Sequence, residues 1–167
     1  DTVTIAVIGN EVDLYPSYKD GTEKAANDAQ SEYEESGFNI EYEFYSYDGS
    51  YEEGAAIVDM LAADESVTAV IGAVDMELNK TAAHVFDSAG KIFVVPFFLY
   101  DSVFDDNHYS TVFSMCNSGQ TVGEILRRAA AETPARRWAV CAADRDFEQS
   151  EMNGFLQYTS NDGIGVV

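Results

Sequence analysis

The sequence predicts an α/β protein built on a doubly wound parallel sheet. Two runs, Thr4–Gly9 and Val67–Val74, are apolar, rich in β-branched residues and free of charge, as strands buried on both faces are. Each is followed by a segment with apolar residues at helical spacing. Strands and helices alternating at such intervals connect by right-handed crossovers. The loops beginning at Gly9 and Gly72 then lie along one carboxyl edge, where open parallel sheets bind their ligands.

The elements follow in order. After the first strand, Asn10–Ser17 reads as a polar loop, with Pro16 marking the approach to a helix. Thr22, Ala25, Ala26, Ala29 and Tyr33 recur at helical spacing and Gly37 supplies the stop, which predicts a small-residue helix lying close on the sheet. Asn39–Tyr47 alternates acidic and aromatic side chains, with Glu41, Glu43, Tyr45 and Tyr47 facing away from Tyr42, Phe44 and Ser46; this pattern fits an edge strand, half wet and half packed. Ser50 and Glu53 form a capping-box pattern that opens a helix burying Ala56, Ile57, Met60 and Leu61.

Beyond the central strand, Asp75 is placed as the N-cap of a helix with Leu78, Ala82, Val85, Phe86 and Ala89 on its apolar face, closed by Gly90. Lys91–Leu99 reads as another buried strand, bent at Pro96. Asp101–Asn107 reads as a polar loop and Thr111–Cys116 as a short strand. Ser118–Glu132 is a helix with Val122, Ile125, Leu126, Ala129 and Ala130 inward and Pro134 past its end. Trp138–Ala142 is the next strand, Phe147–Tyr158 a weaker helical pattern, and Ile164–Val167 opens one more strand. An unpaired apolar run at the last residues reads as the fragment of a longer parent.

Composition narrows the function. Of 167 residues, 46% are hydrophobic, ample for a packed core. A formal charge of -21 with nine Lys and Arg excludes nucleic-acid backbones and anionic lipid surfaces as partners, since both need basic patches. Partners are then neutral or cationic, or the charge serves solubility. No run reaches the roughly 20 apolar residues of a membrane span, so direct membrane insertion is not expected. The chain opens on a short polar lead into a strand and shows no signal-peptide pattern, which fits either a cytosolic protein or a mature exported one whose leader is not part of this sequence. Cys116 and Cys141 sit in apolar strand contexts and read as buried thiols without a disulfide framework.

Enzymatic signatures are missing. Gly9 has no second and third glycine beyond it, and neither a Walker-type loop nor a Gly-x-Ser-x-Gly elbow occurs. His84 and His108 have no partner at metal-ligand spacing. Asp144, Asp146 and Glu148 are spaced like the start of a calcium loop, but Gln149 stands where that loop needs glycine. No cofactor is called for.

Taken together, Thr4–Gly9, Gly21 followed by Ala25-Ala26, Tyr47-Asp48-Gly49 and Val67–Gly72 resemble the amino-terminal lobe of type I periplasmic solute-binding proteins, in the branched-chain amino acid transporter branch. Lys91–Pro96, Val112-Phe113, Ser118-Gly119-Gln120 and Arg137–Val140 resemble the crossing into that family's second lobe. The resemblance implies a Rossmann-like lobe over residues 1–116 and the start of a second lobe over 117–167, with solute bound between lobes and no chemistry done on it. It implies an extracytoplasmic location and, as partners, a small-molecule solute and the membrane subunits of an ABC importer. An extracellular sensor domain with a receptor signalling module is the alternative, and a cytosolic flavodoxin-like nucleotide- or flavin-binding enzyme domain the alternative of another class.

By this resemblance the solute-contacting residues are Asn10, Leu14 and Tyr15 after the first strand, Asp75 and Met76 after the central strand, Phe97, Phe98, Tyr100 and Asp101 after Pro96, and Asp146 and Phe147 from the second lobe; the alternative is that Phe97, Phe98 and Leu99 are core and that Asp75 only caps its helix. The family's Ser-rich turn reads here Ala73-Val74-Asp75-Met76-Glu77, and its small residues after the proline read Phe97-Phe98-Leu99-Tyr100. Acids facing a solute carboxylate are unfavourable, whereas aromatic faces beside acids suit a neutral or cationic organic solute.

Overall fold

A computed structural model describes residues 2–10, 15–33, 36–73, 75–97, 101–105 and 107–167, without the side chains of residues 15–18 and 105. The chain forms two compact units, Asp1–Phe98 with Tyr109–Met115, and Leu99–His108 with Cys116–Val167.

Unit 1 is the expected doubly wound sheet. Its elements are β1 (Thr2–Asn10), α1 (Tyr15–Tyr33), β2 (Asn39–Tyr47), α2 (Tyr51–Ala63), β3 (Val67–Ile71), α3 (Met76–Ser88), β4 (Ile92–Val95) and, later in the chain, β5 (Val112–Ser114). All pairings are parallel in the order β2-β1-β3-β4-β5. The acidic–aromatic strand is an edge, as its alternation predicts. Thr68 is exposed, although the uncharged run of β3 predicts a strand buried on both faces. The register explains it: Thr4 pairs with Val67 and Ile5 with Ala69, so Thr68 is the bulged residue with no partner across the pair.

The core joins Ala6, Val7 and Ile8 of β1, Val70 of β3 and Phe93 and Val95 of β4 to Val58 and Leu61 of α2 and Leu78, Ala82 and Phe86 of α3, all at most 1% exposed. Phe86 and Phe93 meet with ring centroids 5.1 Å apart at 43°, a tilted arrangement favoured by the ring quadrupoles. The buried stripes differ from the periodicity in detail. Helix α2 buries Gly54, Val58 and Leu61 and leaves Ala56 and Met60 exposed. In α3 Asn79 and Ala83 are buried and Ala89 is exposed. In α1 Thr22, Ala26 and Ala29 turn inward while Ala25 and Tyr33 are exposed.

At the far end of α3, Asp87 Oδ1 accepts from the amides and hydroxyls of both Ser110 and Thr111. The backbone donors of Thr111 and Ser110 hold this carboxyl below its ordinary value. A depressed folded-state value means the stabilisation is complete above the unfolded carboxyl pKa and is lost as pH falls through the folded one. The stability gap between wild type and Asp87→Asn, read from urea midpoints, will therefore be constant from pH 7 to about 5 and close below about pH 4. A gap that persists at the lowest pH would assign the effect to shape instead of charge.

Unit 2 contains α4 (Asp101–Asp105), α5 (Gly119–Glu132), β6 (Arg137–Trp138), α6 (Asp146–Leu156) and β7 (Gly165–Val166), the two strands pairing in parallel. Unit 2 departs from the sequence pattern in three places. The polar segment after residue 100 holds a short helix, β6 is two residues instead of five, and α5 faces inward with Gly119, Gly123, Arg127 and Ala130 while Ile125 and Leu126 are about half exposed. The cause is α6. Its backbone lies directly against the glycines of α5, so the smallest face, not the most apolar one, meets the neighbouring helix. Arg127 is buried, pairs with Asp162 and has Tyr158 beneath its guanidinium at 6.0 Å. Because β6 ends early, Cys141 is exposed; Cys116 is half-buried, and the two are not joined in a disulfide.

Candidate functional site

Parallel pairing brings the carboxyl ends of β1, β3 and β4 to one edge of unit 1. The strand order reverses at β1, which has β2 on one side and β3 on the other. A crevice outside the strand ends at such a switch point is where open α/β sheets hold ligands. Val7 is level with Ile71 and Ile71 with Val94, so Asn10, the last residue of β1, lies at the same edge as Gly72 and Phe97, which follow the ends of β3 and β4.

The turn after β3 is built tightly. Gly72 N–H donates to Val94 O at 2.8 Å, and the fully buried Asn79 reaches back from α3 to donate Nδ2–H to Ala73 O at 2.7 Å. A Cβ at residue 72 would lie 2.7 Å from Asn79 Oδ1 and 2.8 Å from Phe93 Cζ, so only glycine fits. Asp75 then caps α3, its Oδ1 accepting from Leu78 N at 2.7 Å. Met76 and Phe97 are half-buried beside these turns. Leu14, Phe98 and Tyr100, and the side chain of Tyr15, lie outside the described residues.

In unit 2 the carboxylates are engaged with their own unit. Asp101 Oδ1 accepts from Gly119 N at 3.0 Å, while Oδ2 accepts from Gln120 N at 3.1 Å and from the Ser150 hydroxyl. Ser118 Oγ takes the next amide, Thr121 N, at 3.1 Å. The first amides of α5 are thus satisfied by two side chains, one of them from α4. Asp146 Oδ2 accepts from Ser102 Oγ at 2.5 Å, and Phe147, one residue on in α6, is half-buried. An apolar concavity of about 530 Å³ also runs along unit 2, lined by Leu126, Ala130, Trp138, Val140, Met152 and Phe155 among others. It flanks the helices and presents few convergent polar groups.

The structure therefore brings Asn10, Asp75, Met76 and Phe97 to one edge of unit 1, and Asp101, Asp146 and Phe147 to the α4–α5–α6 cluster of unit 2. Asn79, Ser102 and Ser150 were not anticipated. Asn79 interrupts an otherwise apolar stripe, which was the available signal.

The order β2-β1-β3-β4-β5 is shared with flavodoxin-like domains and does not by itself choose among functions. What decides is that the sequence matches the periplasmic binding protein family over residues 2–167. This chain belongs to that family.

Solved members share the fold. An ABC transporter substrate-binding protein from Desulfitobacterium hafniense superposes on the whole chain with a TM-score of 0.89 at 23% identity, the chain covering 49% of it. The branched-chain amino acid transporter substrate-binding protein LivJ from Streptococcus pneumoniae, in complex with isoleucine, gives 0.74 at 18%, with 100% of this chain and 48% of that one covered. A solute-binding protein of an ABC transporter from Rhodopseudomonas palustris HaA2, in complex with p-hydroxybenzoic acid, gives 0.80 at 16%, with 100% and 46% covered. This periplasmic-binding-protein chain thus spans about half the length of the solved proteins it resembles. No curated protein matches it. No described helix is long and apolar enough to cross a membrane.

Proposed function

We propose that this chain provides solute-recognition residues of an extracytoplasmic solute-binding component of an ABC importer, working with the importer's membrane subunits and performing no chemistry on its cargo. The observation that carries the reading is the glycine-tipped turn Gly72-Ala73, fixed by Asn79 at the switch point of a sheet whose whole sequence matches the periplasmic binding protein family. On unit 1 the proposed contacts are Asn10, Asp75, Met76 and Phe97, with Leu14, Tyr15 and Phe98 joining them by sequence position; Tyr100 belongs to unit 2. Phe147 and Asp146 contribute from unit 2. Asp101 belongs to this set through its place beside the aromatic segment, with its carboxylate already holding α5.

The solute is an organic molecule with an aromatic or apolar body. Asp75 and Glu77 open α3 as acids, so a neutral or cationic head group is favoured over a carboxylate. A second reading has its own support: relatives bind 4-hydroxybenzoate and benzoate, and the same aromatic segment would stack on such rings.

Calorimetry with tyramine, a neutral phenol, 4-hydroxybenzoate and leucine separates them. Binding of the amine or the phenol in preference to both acids is expected. Tighter binding of 4-hydroxybenzoate would establish the aromatic-acid reading, and stoichiometric binding of flavin or a nucleotide would overturn the solute-binding reading altogether.

A further inference from the structure

The most one-sided feature of this molecule is its charge. Thirty acidic residues stand against nine Lys and Arg, for a formal charge of -21, and the fold does little to neutralise it. Lys19, Lys24, Arg128 and Arg145 pair with Glu23, Asp28, Glu124 and Glu148, each three or four residues away in sequence. Those contacts lie at the surface and tie no separate elements together. Meanwhile Glu32, Asp59, Glu65 and Glu132 are exposed on α1, on α2, on the turn before β3 and on α5.

The helix ends show the same imbalance. No described helix carries a basic residue in its last turn. Glu32 and Glu132 occupy the last turns of α1 and α5, where the partial negative charge of the helix terminus disfavours a carboxylate. On the edge strand, a hydrogen bond to Glu43, then burial and the charges of Glu43 and Asp64, push the Tyr45 phenol up to about 12. A compact chain of this net charge also holds its like charges closer together than an extended one does.

We propose that the folded state depends on screening by dissolved cations, so that this protein holds its structure fully only at high ionic strength and operates in a strongly saline medium. The cations act as a diffuse atmosphere and not at a built site. The relevant length is the screening distance, about 10 Å at 0.1 M salt and about 3 Å at 1 M. At the shorter distance, neighbouring surface carboxylates no longer feel one another.

The test is thermal unfolding, followed by circular dichroism, from 0.05 to 3 M KCl, on wild type and on the quadruple variant Glu32→Lys, Asp59→Lys, Glu65→Lys, Glu132→Lys. The wild-type midpoint is expected to rise by roughly 10 °C or more across the series. The variant should start higher, respond less and meet the wild type at high salt. A wild-type midpoint that is flat or falls with salt overturns the proposal, and the wild type alone suffices for that result. A variant gain that is the same at both ends also overturns it, because ordinary salting-out would act equally on both proteins. MgCl2 matched for ionic strength should reproduce the KCl curve; saturation at millimolar magnesium would replace the atmosphere with a specific site and overturn it too.

Discussion

Replacing Gly123 by alanine will disrupt the α5–α6 pair, lowering the stability of unit 2 by about 3 kcal/mol or more, beyond the usual ~1–3 kcal/mol of an overpacked core. The reason is what the added methyl meets. At Gly123 it would overlap the carbonyl oxygen of Glu151 and lie 2.6 Å from the amide nitrogen of Phe155, and at Gly154 a methyl would overlap the carbonyl of Gln120. These are backbone atoms of facing helices, with no rotamer to turn aside, so the helices themselves must separate. Separation would also loosen Asp101, whose carboxylate joins α4 to Gly119, Gln120 and Ser150. Hydrogen exchange in α5 and α6 is the direct readout, since opening exposes their amides. The same substitution at Gly21 is the internal contrast. That glycine lies in α1 with nothing within 4 Å of the added Cβ, so Gly21→Ala should be neutral or stabilise by up to ~1 kcal/mol through helix propensity. Equal effects at the two sites would show that close helix packing is not what Gly123 is for.

This contrast also locates what the sequence could and could not show. The strands and their parallel order were legible because uncharged β-branched runs such as Thr4–Gly9 have few other uses, and Asp75 was legible because an acid three residues before an inward leucine is what a helix start needs. The buried faces were less so. Periodicity assumes that the most apolar stripe turns inward, and α5 breaks that rule: Gly119 and Gly123 point at the partner helix while Ile125 and Leu126 do not. The spacing Gly119-x-x-x-Gly123 was the visible clue. Helix α4 escaped notice because five residues containing two aspartates carry no helical period. The role of Asp101 could not be read at all, since one of its donors, Ser150, is 49 positions away.

The partition of the candidate site follows from the same physics. In unit 1 the backbone at the switch point is fixed by Gly72 and Asn79, so the geometry of this turn is set by the fold itself. In unit 2 the acids nearest the candidate contacts already accept hydrogen bonds from their own unit.

Lys91→Met will destabilise unit 1 by about 2–4 kcal/mol, from the ~1.5–3 kcal/mol of each hydrogen bond to a charged group, less a desolvation refund. Lys91 is only 8% exposed, and its ammonium donates to Asp64 O at 2.6 Å and Val67 O at 2.7 Å. Asp64 is the C-cap of α2 and Val67 opens β3. The charge therefore sits where the helix dipole is negative and the chain enters the central strand. Its backbone serves the other helix, the Lys91 amide donating to Phe86 O at 2.9 Å just past Gly90, which closes α3 with φ +69°. Methionine keeps that amide and nearly the same volume, so the loss isolates the ammonium and its two carbonyls. The urea midpoint should fall, and exchange protection should drop first at the end of α2 and the start of β3. An unchanged midpoint would mean that burying the charge costs as much as its two hydrogen bonds return. The join between α2 and β3 would then rest on the apolar contacts of Leu61, Val67 and Val70 alone.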